Sequence, residues 1–98
     1  MQVSARNSTT QTVAYTGTAA ACTNPFGDQT RQIRVVANSA CHILVDGTPV
    51  ATVAAPLLPA NSIEYLTVNP GEKISAIKAA TGGLITATDG SLWVTELT

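Results

Sequence analysis

The residues of this chain best suited to chemistry are few. His42 and Asp46 are an imidazole and a carboxylate of the kind that act as general base and orienting partner in nucleophilic catalysis. Cys22 and Cys41 supply thiols, and Glu64, Glu72 and Glu96 supply carboxylates of the type that pair in glycoside hydrolysis. Their spacing argues against each use. On a strand His42 and Asp46 share a face but stand about 13 Å apart, at about 3.3 Å per residue, beyond direct hydrogen bonding. No G-x-S-x-G elbow singles out a nucleophile. One His and two Cys, with neither C-x-x-C nor H-x-H spacing, offer no zinc or cupin-type ligand set. A carboxylate pair needs a cleft for its sugar, and a thin two-sheet domain has little room for one. Gly82-Gly83 enters a strand rather than a helix, so it reads as a bend and not as a phosphate cradle. The expectation is a protein without catalytic residues, metal or cofactor.

Composition points to contact with other chains. The 98 residues read as one domain, 1–98, and a chain of this size hides only about 60–70% of the surface its unfolded form exposes. Charged residues make up 11% of it, against about 25% in an ordinary soluble domain. Sheet proteins commonly guard exposed strand edges with lysine, and the lysines here are Lys73 and Lys78 alone. Neighbouring chains are therefore expected to cover the edges. A net charge of −1, with Arg6, Arg31, Arg34, Lys73 and Lys78 scattered, offers no basic stripe for a phosphate backbone, so nucleic acid is not an expected partner. Residues 1–20 carry no apolar signal core, and no apolar run reaches about 18 residues. Neither export nor a membrane is expected, and Cys22 and Cys41 are expected to stay reduced. A Cys22–Cys41 disulfide and glycosylation at Asn7-Ser8-Thr9 both belong to the alternative, an exported chain.

Helix signals are nearly absent, because Thr and β-branched residues are spread throughout and Gly or Pro interrupts every helical period. Short runs between turn residues predict strands near 2–5, 10–18, 31–37, 41–45, 49–54, 62–68, 73–78, 84–88 and 91–97. Eight or nine short strands imply an all-β, antiparallel, jelly-roll-like β-sandwich. The Thr/Ala-rich residues 8–21 have a second reading, in which residues 1–20 form an extended N-terminal arm. Asp46-Gly47 and Asp89-Gly90 read as two-residue hairpin turns with positive φ, and Asn69-Pro70-Gly71-Glu72 as a type II turn joining a third hairpin. The Asp46-Gly47 hairpin would set Ile43 opposite Val50 and Cys41 opposite Thr52. The Asp89-Gly90 hairpin would set Ile85 opposite Val94, Ala87 opposite Leu92, and Thr86 opposite Trp93 on the other face. If Leu92 and Val94 face the core, Trp93 and Thr86 face outward, where a Trp fills a pocket in another protein or stacks on a sugar. The alternative places this strand between two apolar layers. Residues 23–30 read as a surface loop carrying Phe26, the single Phe.

Four segments carry a family resemblance: Arg34-Val35-Val36-Ala37 before a Cys41-His42-Ile43 strand, Leu58-Pro59-Ala60 leading to Glu64-Tyr65, Val68-x-Pro70-Gly71 followed by Ile74-x-x-Ile77, and the terminal Val94-Thr95-Glu96-Leu97. Over roughly its last two-thirds the chain resembles small structural proteins encoded in tailed-phage and prophage head gene clusters. Residues 1–30 lie outside the match. The resemblance implies a jelly-roll protein that decorates and cements a capsid on the virion surface after assembly in the host cytoplasm. The implied partners are the major capsid protein and further copies of the chain, as dimer or trimer. It brings no catalytic residues. The contact residues expected from the sequence are Trp93, Thr86 and Phe26. The competing expectation is a carbohydrate- or host-surface-binding module of a phage fibre or tail, using Trp93, Tyr65 or loop 23–30.

Overall fold

A computed structural model describes residues 7–79 and 88–97. Eight strands follow in order: β1 (Asn7–Tyr15), β2 (Ala20–Ala21), β3 (Gln32–Ala37), β4 (Cys41–Asp46), β5 (Leu57–Leu58), β6 (Ile63–Thr67), β7 (Lys73–Lys78) and β8 (Gly90–Leu97). They form two four-stranded sheets, ordered β1-β8-β3-β6 and β2-β7-β4-β5, in which all pairings are antiparallel. β1 pairs β8, β2 pairs β7, β3 pairs β6 and β4 pairs β5, as in one long hairpin whose tip is the β4–β5 connection. Rolling that hairpin brings β8 against β3 and β7 against β4. The protein is a jelly-roll β-sandwich.

Alternation builds the core. In β3, Ile33, Val35 and Ala37 are buried while Gln32, Arg34 and Val36 stay partly exposed. Leu92 and Val94 of β8 and Val13 and Tyr15 of β1 complete the first sheet's inner face. Cys41, Ile43, Leu58, Ile74 and Ala76 supply the facing layer. Each fully buried Ile, Leu or Val contributes about 1.5–3 kcal/mol relative to leaving it exposed.

β1, β3, β4, β6, β7 and β8 sit close to predicted places, the two-residue β2 and β5 were not expected, and the partners differ. The turn at Asn69–Glu72 forms as expected: the Glu72 amide donates to the Asn69 carbonyl at 3.2 Å and Gly71 has φ +85°. The Glu72 carboxylate adds a bond from the Asn69 amide at 2.7 Å. Yet β6 belongs to one sheet and β7 to the other, so the turn crosses the sandwich and closes no hairpin. Asp46-Gly47 likewise closes no tight hairpin. Cys41 pairs with Leu58 and Lys78, and residues 49–54 contain no strand. Proline at position 49 cannot donate to a ladder, which displaces pairing to Leu57–Leu58. Residues 7–15 are an integral strand, not an arm. Residues 1–6, and with them the predicted strand 2–5, lie outside the described residues.

The Asp89-Gly90 hairpin is also corrected. Both edges of β8 are occupied, Val94 pairing with Gln11 and Val35, and Trp93 with Thr12 and Val36. The β8 positions expected to face residues 85–87 are thus taken by β1 and β3, and residues 84–87 themselves lie outside the described ones. Gly90 has no positive φ. Its glycine answers a close approach, because a Cβ there would clash with Asn38 Oδ1 and Ser39 Oγ and meet Tyr15 Oη at 2.8 Å. Those same atoms knit the corner. The buried Tyr15 hydroxyl lies 2.6 Å from the Ser39 carbonyl, to which it donates, and 2.8 Å from Ser39 Oγ. Ser39 Oγ donates to the Thr88 carbonyl at 2.9 Å, and Asn38 Oδ1 accepts from the Ser91 amide at 2.9 Å.

Two stability predictions follow from this corner. Gly90→Ala should cost about 1–3 kcal/mol in urea unfolding, since backbone or side chains must shift to admit a methyl. Gly47→Ala, with open space around it and no positive φ, should stay within about 0.5 kcal/mol of the parent. Equal costs would contradict the close approach at Gly90. Burial also pushes both the Tyr15 phenol and the Cys41 thiol above their ordinary values, 10.0 and 9.0. The neutral forms are therefore favoured by folding, and their contribution is complete below the unfolded-state values and lost as pH rises through the raised ones. Unfolding free energy should decline above about pH 9, and Cys41→Ala should flatten the earlier part of the decline. A curve unchanged up to pH 10.5, on the order of half a unit past the ordinary phenol value, would contradict it.

Candidate interaction surface

The two sheets treat their outer faces differently. Over the outer face of β7 and β4 lies the connection 47–56, with Pro49 and Ala51 buried. The Ala51 amide donates to Ser75 Oγ at 3.0 Å, His42 Nδ1 lies 2.7 Å from the Ala55 carbonyl oxygen, and the Ile43 amide donates to the Pro56 carbonyl at 3.0 Å. This sheet is roofed by its own chain. Across the first sheet no described segment plays that part.

Register assembles that open face in rows. Thr12, Trp93, Val36 and Ile63 stand side by side across β1, β8, β3 and β6. The next row holds Thr10, Thr95, Arg34 and Tyr65. Trp93 is 40% exposed, Ile63 50% and Tyr65 58%. Thr95 is buried between its neighbours, its hydroxyl 3.0 Å from that of Thr10. Arg34 forms no ion pair among the described residues, where the single salt bridge joins Lys78 to Asp89 at 3.1 Å. The face is thus largely uncharged, with aromatic and aliphatic groups in the rows that also hold one guanidinium. A surface of this composition suits a partner that covers it.

Trp93 therefore faces outward as expected, although its cross-strand neighbours are Thr12 and Val36. Thr86 lies outside the described residues. Phe26 is a correction, since it is 2% exposed and belongs to the core. Its amide donates to the Glu72 carbonyl at 2.8 Å and its carbonyl accepts from the Gly71 amide at 2.9 Å, which ties the loop to the β6–β7 turn and turns the ring inward. Buried Glu96 holds the same loop, its Oε1 accepting from the Gly27 amide at 2.9 Å and the Thr30 hydroxyl at 2.5 Å. Beside it runs an open groove of about 530 Å³ lined by Asn24, Pro25, Asp28, Gln29 and Glu96, among others.

The other candidate chemical groups are dispersed. Glu72 latches its turn, Glu96 latches the loop, and Glu64 sits on the edge strand β6, so the three carboxylates do not converge. His42 is half-buried on β4 against Ala55. Cys22 and Cys41 are buried and unbonded, Cys22 Sγ standing 3.4 Å from both the Asn24 carbonyl oxygen and the Ile74 amide. Sequence reasoning missed Val36, Ile63 and Arg34 as companions of Trp93. Val36 broke the polar side of the β3 alternation, which was the available signal, but its adjacency to Trp93 depends on pairing across distant chain. No family model, curated protein or solved structure matches the chain.

Side-chain truncation should separate surface from core. Trp93→Ala should cost about 1 kcal/mol of stability, through lost cross-strand contacts, whereas Phe26→Ala should cost about 3–5 kcal/mol. Chemical denaturation of both variants checks this, and a Trp93→Ala chain as damaged as Phe26→Ala would place Trp93 in the core's energetics.

Proposed function

We propose that this chain is a structural protein of a tailed-phage virion, one that decorates the capsid and stabilises it by bridging subunits of the major capsid protein. The observation that carries the reading is the open, weakly charged outer face bearing Trp93, Val36, Ile63 and Tyr65, on a molecule whose other sheet roofs itself. The resemblance of residues 34–97 to phage head proteins supplies the kind of partner. The mechanism is mass action: a protein that binds the assembled lattice and not its separated subunits shifts the equilibrium toward the lattice. Localisation on the capsid surface and the absence of a chemical substrate belong to the same proposal. A second reading, a carbohydrate-binding module of a fibre or tail, rests on the two exposed rings, Trp93 and Tyr65, on one sheet face.

Shells with and without the protein should differ in rupture temperature, the decorated shell being the more resistant. Trp93→Ala should weaken shell binding by about 2 kcal/mol or more, the size expected of a buried interface Trp. Glycan-array binding measured in parallel discriminates the readings. Equal rupture temperatures with Trp93-dependent sugar binding would replace the capsid reading with the carbohydrate one.

A further inference from the structure

The four sheet edges of this molecule are not equally protected. β2 and β5 contain two residues each, too short to template another strand. β6 has five residues and carries Glu64. β1, in contrast, runs for nine residues, NSTTQTVAY, with no charge and no proline. It pairs on one side with β8, and no described loop backbone bonds to its other side. Shortness and charge guard three edges and are missing from the fourth.

We propose that β1 is an assembly edge that pairs antiparallel with β1 of a second copy of this chain, joining two four-stranded sheets into one. An antiparallel strand pair is its own two-fold complement, so the same edge serves both copies. Centring the pairing on Thr12 sets Thr12 opposite its counterpart, Gln11 opposite Val13 and Thr10 opposite Ala14. This register keeps inward residues facing inward and outward residues outward. It brings no like charges together. Gln11 already turns toward its own loop, its Nε2 donating to the Asn24 carbonyl at 2.9 Å and its Oε1 accepting from the Asn24 amide at 3.2 Å, so both polar atoms of that side chain are engaged within the chain. The outward side chains Thr10, Thr12 and Ala14 are small, and the β1–β8 bulge between Asn7 and Thr10 sets one limit of the pairing. The pairing also extends the open face, since Thr12 stands next to Trp93. This inference is independent of the capsid reading, because it concerns the purified chain alone.

Sedimentation velocity of the full chain, from low micromolar to submillimolar concentration, should show a monomer–dimer equilibrium. Thr12→Lys sets two ammonium groups against each other at the two-fold and should weaken dimerisation about tenfold or more. Thr67→Lys on β6 should leave it unchanged. Ala14→Lys serves as the second variant if Thr12→Lys fails to fold. Outer-edge amides of β1 should exchange more slowly at high concentration than at low. A monomer throughout, a trimer, or a dimer indifferent to both β1 lysines would overturn the proposal.

Discussion

Strand β8 is hydrogen-bonded along both edges, to β1 and to β3, and the remaining architecture depends on that double pairing. With β3 on one edge of β8 and β1 on the other, the last strand closes on the first. Once β1 and β8 are joined, the nested pairs β2 with β7, β3 with β6 and β4 with β5 follow, and each turn between consecutive strands becomes a crossing or a tip. Gly90 stands where this closure is tightest, against Asn38, Ser39 and Tyr15. Any side chain there would press on the corner through which β8 enters the sheet.

The same double pairing creates the open face. Because β8 is central, Trp93 lies in the middle of the outer surface and not at its margin, with Val36 and Ile63 on one side and Thr12 on the other. The opposite sheet has the long β4–β5 connection to lay over itself, with Ala51 anchored on Ser75. One length of chain at the tip of the rolled hairpin thus covers one face, and no described segment covers the other.

Polar groups at the ends of the sandwich hold loops where apolar packing alone would not. Glu96 binds Gly27 and Thr30, Glu72 binds Asn69, and Tyr15 with Ser39 binds residues on both sides of the β8 entry. Among the described residues every fully buried side-chain polar atom has a partner, which is what a small core requires, since an orphaned group costs about 1–3 kcal/mol. Glu72 and Glu96, two of the carboxylates that read as candidate chemistry in the sequence, are here fasteners.

By itself the sequence determined the all-β class, most strand positions, the Asn69–Glu72 turn and the outward direction of Trp93. These depend on φ preferences and on period-two alternation, which are properties of adjacent residues. Leu92 and Val94 sufficed to turn Trp93 outward even though its cross-strand neighbours are Thr12 and Val36 and not Thr86. Tertiary structure alone decided which strands pair, why position 90 is glycine, and that Phe26 is core. Strand partners here are separated by up to most of the chain, Thr12 from Trp93 for example, and an edge is satisfied equally by any strand of suitable length. Only the competition among all eight strands selects the set of pairings that buries both inner faces at once, and no local stretch of residues contains that information.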